Sequence, residues 1–294
     1  MLGPRVCFTG NVKAGSWQIR GEQISSERSN WVALPNPSRS DLKGFDILCV
    51  VKKLNSKIVS RARDQGLLIV YDIVDSWRQP KDGIKCQSVE EARALFSKKW
   101  KRIDADLFVF PTKQMLIDLG DLVPKGQVIY HHYRPGIPLN PIRKQVLTVG
   151  YEGADFLGEW KSYFEESCRR RGLRFVINPQ NYSDIDVVVV ARGGVHANFL
   201  SHRYKSNVKL ANAYGSGTPA LVHIAEQSAH DTDCGNVLYF SDIDSFDQKL
   251  DLLINNLELR QLISHSFLLA AKRYEISSIA KEYEDMFSSL VNQL

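Results

Sequence analysis

No apolar run in this 294-residue chain approaches the ~20 residues that cross a bilayer, so no segment reads as a membrane span. The first ten residues enter a strand-like run directly, without the apolar core of a signal peptide, which predicts a cytoplasmic protein. The five cysteines (Cys7, Cys49, Cys86, Cys168, Cys234) are odd in number and widely scattered. They form no Cys-x-x-Cys pair and no Cys/His cluster, which argues against a zinc site and leaves reduced, mostly buried thiols. The spacing Gly-x-Gly-x-x-Gly is absent, and so is Gly-Lys-Ser/Thr; neither a dinucleotide fingerprint nor a Walker A loop is present. No solenoid-type repeat recurs along the chain.

What remains is a globular composition, 44% hydrophobic and 24% charged, on a length comfortable for two domains. The charge is uneven. Residues 1–140 carry 22 Lys/Arg against 14 Asp/Glu, a net of +8, whereas residues 141–294 carry 16 against 19, a net of −3. Such asymmetry suggests halves that meet different partners. The basic half suits an anionic membrane surface, a phosphorylated acceptor or nucleic acid.

Apolar periodicity alternates between strand and helix almost throughout. Strands are expected over 5–10, 31–34, 46–51, 67–74, 106–110 and 128–132, with helices over 16–28, 56–66, 89–101 and 113–119. Three prolines between Arg134 and Pro141 then predict a stiff linker. Alternation restarts with strands over 146–150, 173–178, 184–191, 220–224 and 237–240, and helices over 154–171 and 207–214. From Ser245 onward the pattern is helical. Repeated βα units imply parallel sheets covered on both faces. The expected domains are 1–138, 139–275 and a terminal helix over 276–294.

Ligands of open α/β sheets bind beyond the carboxyl ends of the strands, so polar residues just after strands are the candidates. Gly10 and Gly15 bracket the first such loop and allow close backbone approach. Lys52 and Lys53 follow the third strand. Asp72 and Asp75 lie at the end of an apolar strand, where a carboxylate suits proton abstraction or charge stabilisation. His131 and His132 alternate faces, so only one of the pair points inward. In the second half Gly150, Glu152 and Gly153 follow a strand, and Arg192 follows another. Lys205, Asn207, Lys209 and Asn212 cluster at the start of a short helix. Cations beside free helix amides make a phosphate site.

The run from Arg203 to Val222 has basic residues, Arg203 and Lys205, ahead of that helix, then Gly215, Gly217 and Pro219 leading into a buried strand. It resembles the donor-binding segment of GT-B glycosyltransferases. The resemblance implies an α/β fold of two Rossmann-like domains facing across a cleft, with C-terminal helices returning to the first domain. It implies that Gly10, Gly15, Gly150, Glu152, Gly153, Arg192, Lys205, Asn207, Lys209 and Asn212 surround the donor. One departure stands out. Many retaining GT-B families carry two glutamates eight residues apart around this helix, and the matching positions here are Tyr204 and Asn212.

The expected function is transfer of a sugar from a nucleotide-sugar donor to a cell-surface polysaccharide, lipid-linked or other glycan acceptor. Asp72, Asp75 and His131 are the catalytic candidates, and no metal or other cofactor is required because cations offset the leaving charge. The helix ending Lys98–Arg102 fits an ordinary amphipathic surface helix, with peripheral contact to an anionic membrane as the alternative. The alternatives are glycosyl transfer to nucleic acid and a non-enzymatic two-domain sugar-nucleotide-binding protein.

Overall fold

The computed structural model describes residues 3–53, 55–76 and 86–293. These form two compact units, each built on one parallel sheet, of six strands in the first and five in the second.

The first unit draws on residues 3–76, Gln87–His131 and the chain from Ile276 onward. Its strands are β1 (Val6–Thr9), β2 (Trp31–Ala33), β3 (Ile47–Val51), β4 (Leu68–Asp72), β5 (Leu107–Phe110) and β6 (Gly126–Val128), in the order β2-β1-β3-β4-β5-β6. Every residue of β1, β3, β4 and β5 is buried, which is why these segments are apolar without alternation. The crossover helices are α1 (Gly15–Trp17, continuing as a π turn over Gln18–Gln23), α2 (Ser56–Arg63), α3 (Val89–Trp100) and α4 (Lys113–Leu119). Asn55, Ser88 and Thr112 cap the last three through their side-chain oxygens. The strand expected over 128–132 lies earlier, at β6. Its partner β5 ends at Phe110, and Pro111 has no N–H with which to extend the ladder.

The terminal helix α11 (Ile276–Val291) completes this core. Ile279, Ala280, Tyr283, Met286, Phe287 and Leu290 line one face of it and pack among Val6, Phe8, Trp31 and Ile47. Phe287 meets Trp31 edge-on at 5.5 Å and Phe8 at 6.0 Å between ring centroids. Beneath them lies a buried polar knot. Arg20 Nε is 3.3 Å from Asp72 Oδ2, both side chains wholly enclosed, and the Tyr283 hydroxyl donates to the same carboxylate oxygen. Arg20 also donates to the carbonyls of Ile129 and Tyr130, and the Val74 amide donates to Asp72 Oδ1.

The second unit spans His132–Glu275. Its strands are β7 (Thr148–Tyr151), β8 (Arg174–Ile177), β9 (Val187–Val190), β10 (Ala220–His223) and β11 (Leu238–Phe240), in the order β11-β10-β9-β7-β8. Its helices are α5 (Trp160–Arg170), α6 (Phe199–Tyr204), α7 (Val208–Ser216), α8 (Gln227–Thr232), α9 (Ile243–Asn255) and α10 (Leu257–Ala271). The helix expected from 154 starts only at Trp160, since Gly158 takes a positive φ of 53° and holds the preceding loop open. Helices α6 and α8 are too short to leave a periodic signature. Helix α7 runs two residues past Tyr214 and stops at Gly217, whose φ of 68° closes it. Gly215 therefore sits inside the helix, against the Tyr133 ring. The proline-rich stretch is no free linker, because Asn140 pins it to this unit. The Asn140 amide donates to the carbonyls of Tyr182 and Ile185 and to Thr218 Oγ1.

Candidate functional site

In the second sheet β7 is the strand from which the order departs in both directions, to β8 on one side and β9 on the other. Such a switch point opens a crevice at the carboxyl ends of its strands. The residues that leave β7 and β9 there are Glu152, Gly153 and Arg192.

Helix α7 aims its N-terminus into the same place. Asn207 occupies the N-cap position, buried, and its side chain does not cap, so the first-turn amides are not covered by it. Lys209, in that first turn, lays its ammonium 3.7 Å from the centre of the Tyr151 ring. Gly153 has a φ of 106°, and a Cβ on it would lie 3.8 Å from Lys209 Cε, so the loop passes directly over the lysine. Withdrawal from water pushes the Lys209 ammonium well below the ordinary lysine range; Arg192 and Lys205 push the same way and Glu152 opposes them. Arg192, Lys205 and Lys209 therefore share one field.

Two carboxylates hold this field in place. Glu226, buried just after β10, pairs with Arg192 and lies 3.5 Å from His202 Nδ1. Burial, Arg192 and His223 bring His202 down to about 4, so it stays neutral at pH 7 and leaves the Glu226 charge to Arg192. Glu152 accepts from Asn212 Nδ2 at 2.8 and 3.0 Å and from the Tyr182 hydroxyl at 2.7 Å. Asn212 Oδ1 in turn accepts from the Arg134 amide at 2.8 Å. Asn212 thus stands where the resemblance would put a glutamate, and the carboxylate at that point comes instead from the β7 loop. Burial also raises Tyr151, to about 12, against the opposing pull of Arg192.

The structure brings Glu152, Gly153, Arg192, Lys205, Asn207, Lys209 and Asn212 together, but it gives Gly150 another task. A Cβ on Gly150 would fall 2.6 Å from Ile185 Cδ1, so this glycine seats a core side chain. Gly10 likewise makes room for the Trp17 ring, 2.6 Å from where its Cβ would be, while Gly15 has nothing within 4 Å. Glu226, His202 and Tyr182 were missed by sequence reasoning. Glu226 is the first charged residue after the apolar run of β10, and the rule that selected Arg192 applies to it equally.

Asp72 requires the plainest correction. It is wholly buried between Arg20 and Tyr283, so it fastens α11 and is not presented to a substrate. Asp75 differs: it is 14% exposed and pairs with Lys52 Nζ at 2.6 Å. Between the two, Val74 takes a φ of 69°, a conformation that costs a β-branched residue about 1–3 kcal/mol. The buried His131 imidazole bonds the Val74 carbonyl through Nε2 at 3.3 Å and so braces that strained turn. Buried His132 bonds the Tyr133 carbonyl. Among the described residues no three His, Cys, Asp or Glu side chains gather as metal ligands, and no helix is long and apolar enough to cross a membrane. Trp100 is buried against Phe96, Phe108 and Phe110, so the end of α3 offers no aromatic anchor to a bilayer.

No family model matches the sequence, and no curated protein matches it. Solved structures do. HepE from Anabaena, determined with UDP and glucose, superposes with a TM-score of 0.65 over 97% of this chain and 100% of its own, at 11% identity. The same protein was also determined with UDP-glucose. Sucrose-phosphate synthase from Thermosynechococcus elongatus superposes with a TM-score of 0.64 over 99% and 100%, at 10% identity. WaaG, a glycosyltransferase involved in lipopolysaccharide biosynthesis, reaches 0.58 over 96% and 99%, at 13% identity. Two parallel α/β units and this likeness along nearly the whole chain give the protein the GT-B fold of glycosyltransferases.

Proposed function

We propose that the chain is a glycosyltransferase that moves a sugar from a nucleotide-sugar donor, held by the second unit, to a glycan or lipid-linked acceptor held by the first. The convergence of Arg192, Lys205, Lys209 and the α7 amides at the β7/β9 switch point carries this reading. Departure of a nucleoside diphosphate builds negative charge on its phosphates. Fixed cations and helix amides in a poorly hydrated site stabilise that charge as it forms, in the role a divalent metal plays elsewhere. Glu152, oriented by Asn212 and Tyr182, is an acceptor-only group beside those cations and suits hydroxyls of the donor. Likeness to HepE, determined with UDP and UDP-glucose, supports a nucleotide-sugar donor.

Asp75 is the candidate base for the acceptor hydroxyl, with the strained Val74 turn fixing its direction. A cytoplasmic site and a cell-surface polysaccharide product accord with the basic first half of the sequence. Peripheral contact with an anionic leaflet then rests on lysine and arginine charge alone. Thermal denaturation against a panel of nucleoside mono- and diphosphates tests the reading. At least one diphosphate raises the melting temperature at millimolar concentration; if none does, the transferase assignment fails.

A further inference from the structure

The first unit has its own switch point, where β1 lies between β2 and β3, and a cavity of about 220 Å³ opens there. Its lining comes from Thr9, Asn11, Asn36, Lys53 and Asn55, with Gly10 on the floor and Val12, Pro35 and Ile58 as apolar walls. No carboxylate is among these residues.

The lining is rich in hydrogen-bond donors. Asn11 Oδ1 accepts from the Lys13 amide at 3.3 Å, and Asn55 Oδ1 accepts from the Lys57 amide at 3.1 Å, where it caps α2. Each carbonyl oxygen is engaged once by a local turn, and the two NH₂ groups remain as donors. Thr9 Oγ1 donates to the Pro35 carbonyl at 3.0 Å. Lys53 adds a positive charge, and neither it nor Asn36 has a side-chain partner among the described residues. The volume equals that of about seven liquid waters, room for one sugar ring with one charged substituent. Among the described residues the lining contains no aromatic ring on which a nucleobase would stack.

We propose that this cavity binds a monosaccharide unit bearing an oxyanion, a phosphate or a carboxylate, with Lys53 and the Asn11, Asn36 and Asn55 amides on the anion and its neighbouring hydroxyls, and Val12, Pro35 and Ile58 against the apolar face of the ring. That this ligand is the acceptor rests on the transferase reading; that an anionic sugar binds there does not.

Titration calorimetry of the full chain with glucose 6-phosphate, mannose 6-phosphate, glucuronate, glucose and inorganic phosphate tests it. At least one of the three anionic sugars binds at least tenfold more tightly than glucose. Lys53→Ala and Asn36→Ala each weaken that binding at least fivefold, while stabilisation by nucleoside diphosphate, which reports an intact second unit, stays as in the wild type. Which anionic sugar binds best identifies phosphate or carboxylate as the group recognised. The proposal is overturned if glucose binds as well as the anionic sugars, if inorganic phosphate alone binds as tightly, if Lys53→Ala changes nothing, or if none of the sugars binds. A chain that binds the anionic sugar but no nucleotide would remove the transferase reading and leave this site standing.

Discussion

Lys209 is held in a state that costs stability. Its ammonium is withdrawn from water and lies beside two other cations, so its folded-state pKa lies below its unfolded one. At neutral pH the unfolded chain keeps that proton more readily, and the free protein bears a penalty that is absent above the ordinary lysine pKa. Lys209→Met relieves it. Differential scanning calorimetry at pH 7 is expected to show the ligand-free melting temperature of that variant raised by about 2 °C. Phosphate favours the charged form and raises that pKa, so nucleotide binding takes up protons wherever the free amine is partly deprotonated. Titration in two buffers of different ionisation enthalpy reads that uptake, and affinity falls as pH rises toward the ordinary lysine value. An absence of uptake at every pH would mean that the phosphates do not reach this ammonium. The two aspartates separate in the opposite sense. Asp72→Asn breaks a fully buried pair and costs about 3–5 kcal/mol in denaturant melts. Asp75→Asn costs about 1 kcal/mol or less, yet lowers turnover with donor binding unchanged. Equal destabilisation by the two would contradict this division.

At the scale of elements, the proposed donor site depends on two loops pressed backbone to backbone. A Cβ on Gly193 would fall 1.7 Å from the Leu157 carbonyl oxygen, and none of that contact is with a flexible side chain's end. Gly193→Ala therefore displaces the loop that carries Arg192 and costs about 3 kcal/mol or more, with weakened nucleotide binding. Gly15→Ala meets nothing within 4 Å and leaves the melting temperature unchanged. The two variants compared by thermal denaturation test this assignment. Continuous apolar runs made the strands legible in the sequence, since β3 and β9 are buried at every residue and carry no polar side chain. The cluster at the start of a helix selected Lys209, and the strand-end rule selected Arg192. It misassigned Asp72, because a strand-end carboxylate looks the same whether it meets a ligand or a buried arginine from residue 20. Only the tertiary fold brings Arg20 and Tyr283 to that point. Glycine was equally ambiguous: Gly153 gives way to a lysine, whereas Gly10 and Gly150 give way to the side chains of Trp17 and Ile185.

The molecule as a whole carries two parallel sheets, each with a switch point and each with different residues at its strand ends. Cations balanced by Glu152 and Glu226 suit the second to a charged leaving group, and the donor-rich cavity suits the first to an anionic sugar. The central claim is that Lys209 and its neighbours grip the diphosphate of the donor. Its most direct test is titration calorimetry of the most stabilising nucleoside diphosphate into the wild type and into Lys209→Met. The account predicts micromolar binding to the wild type and at least a tenfold loss in the variant, whose fold is intact or more stable. Equal affinity of the two proteins would contradict it.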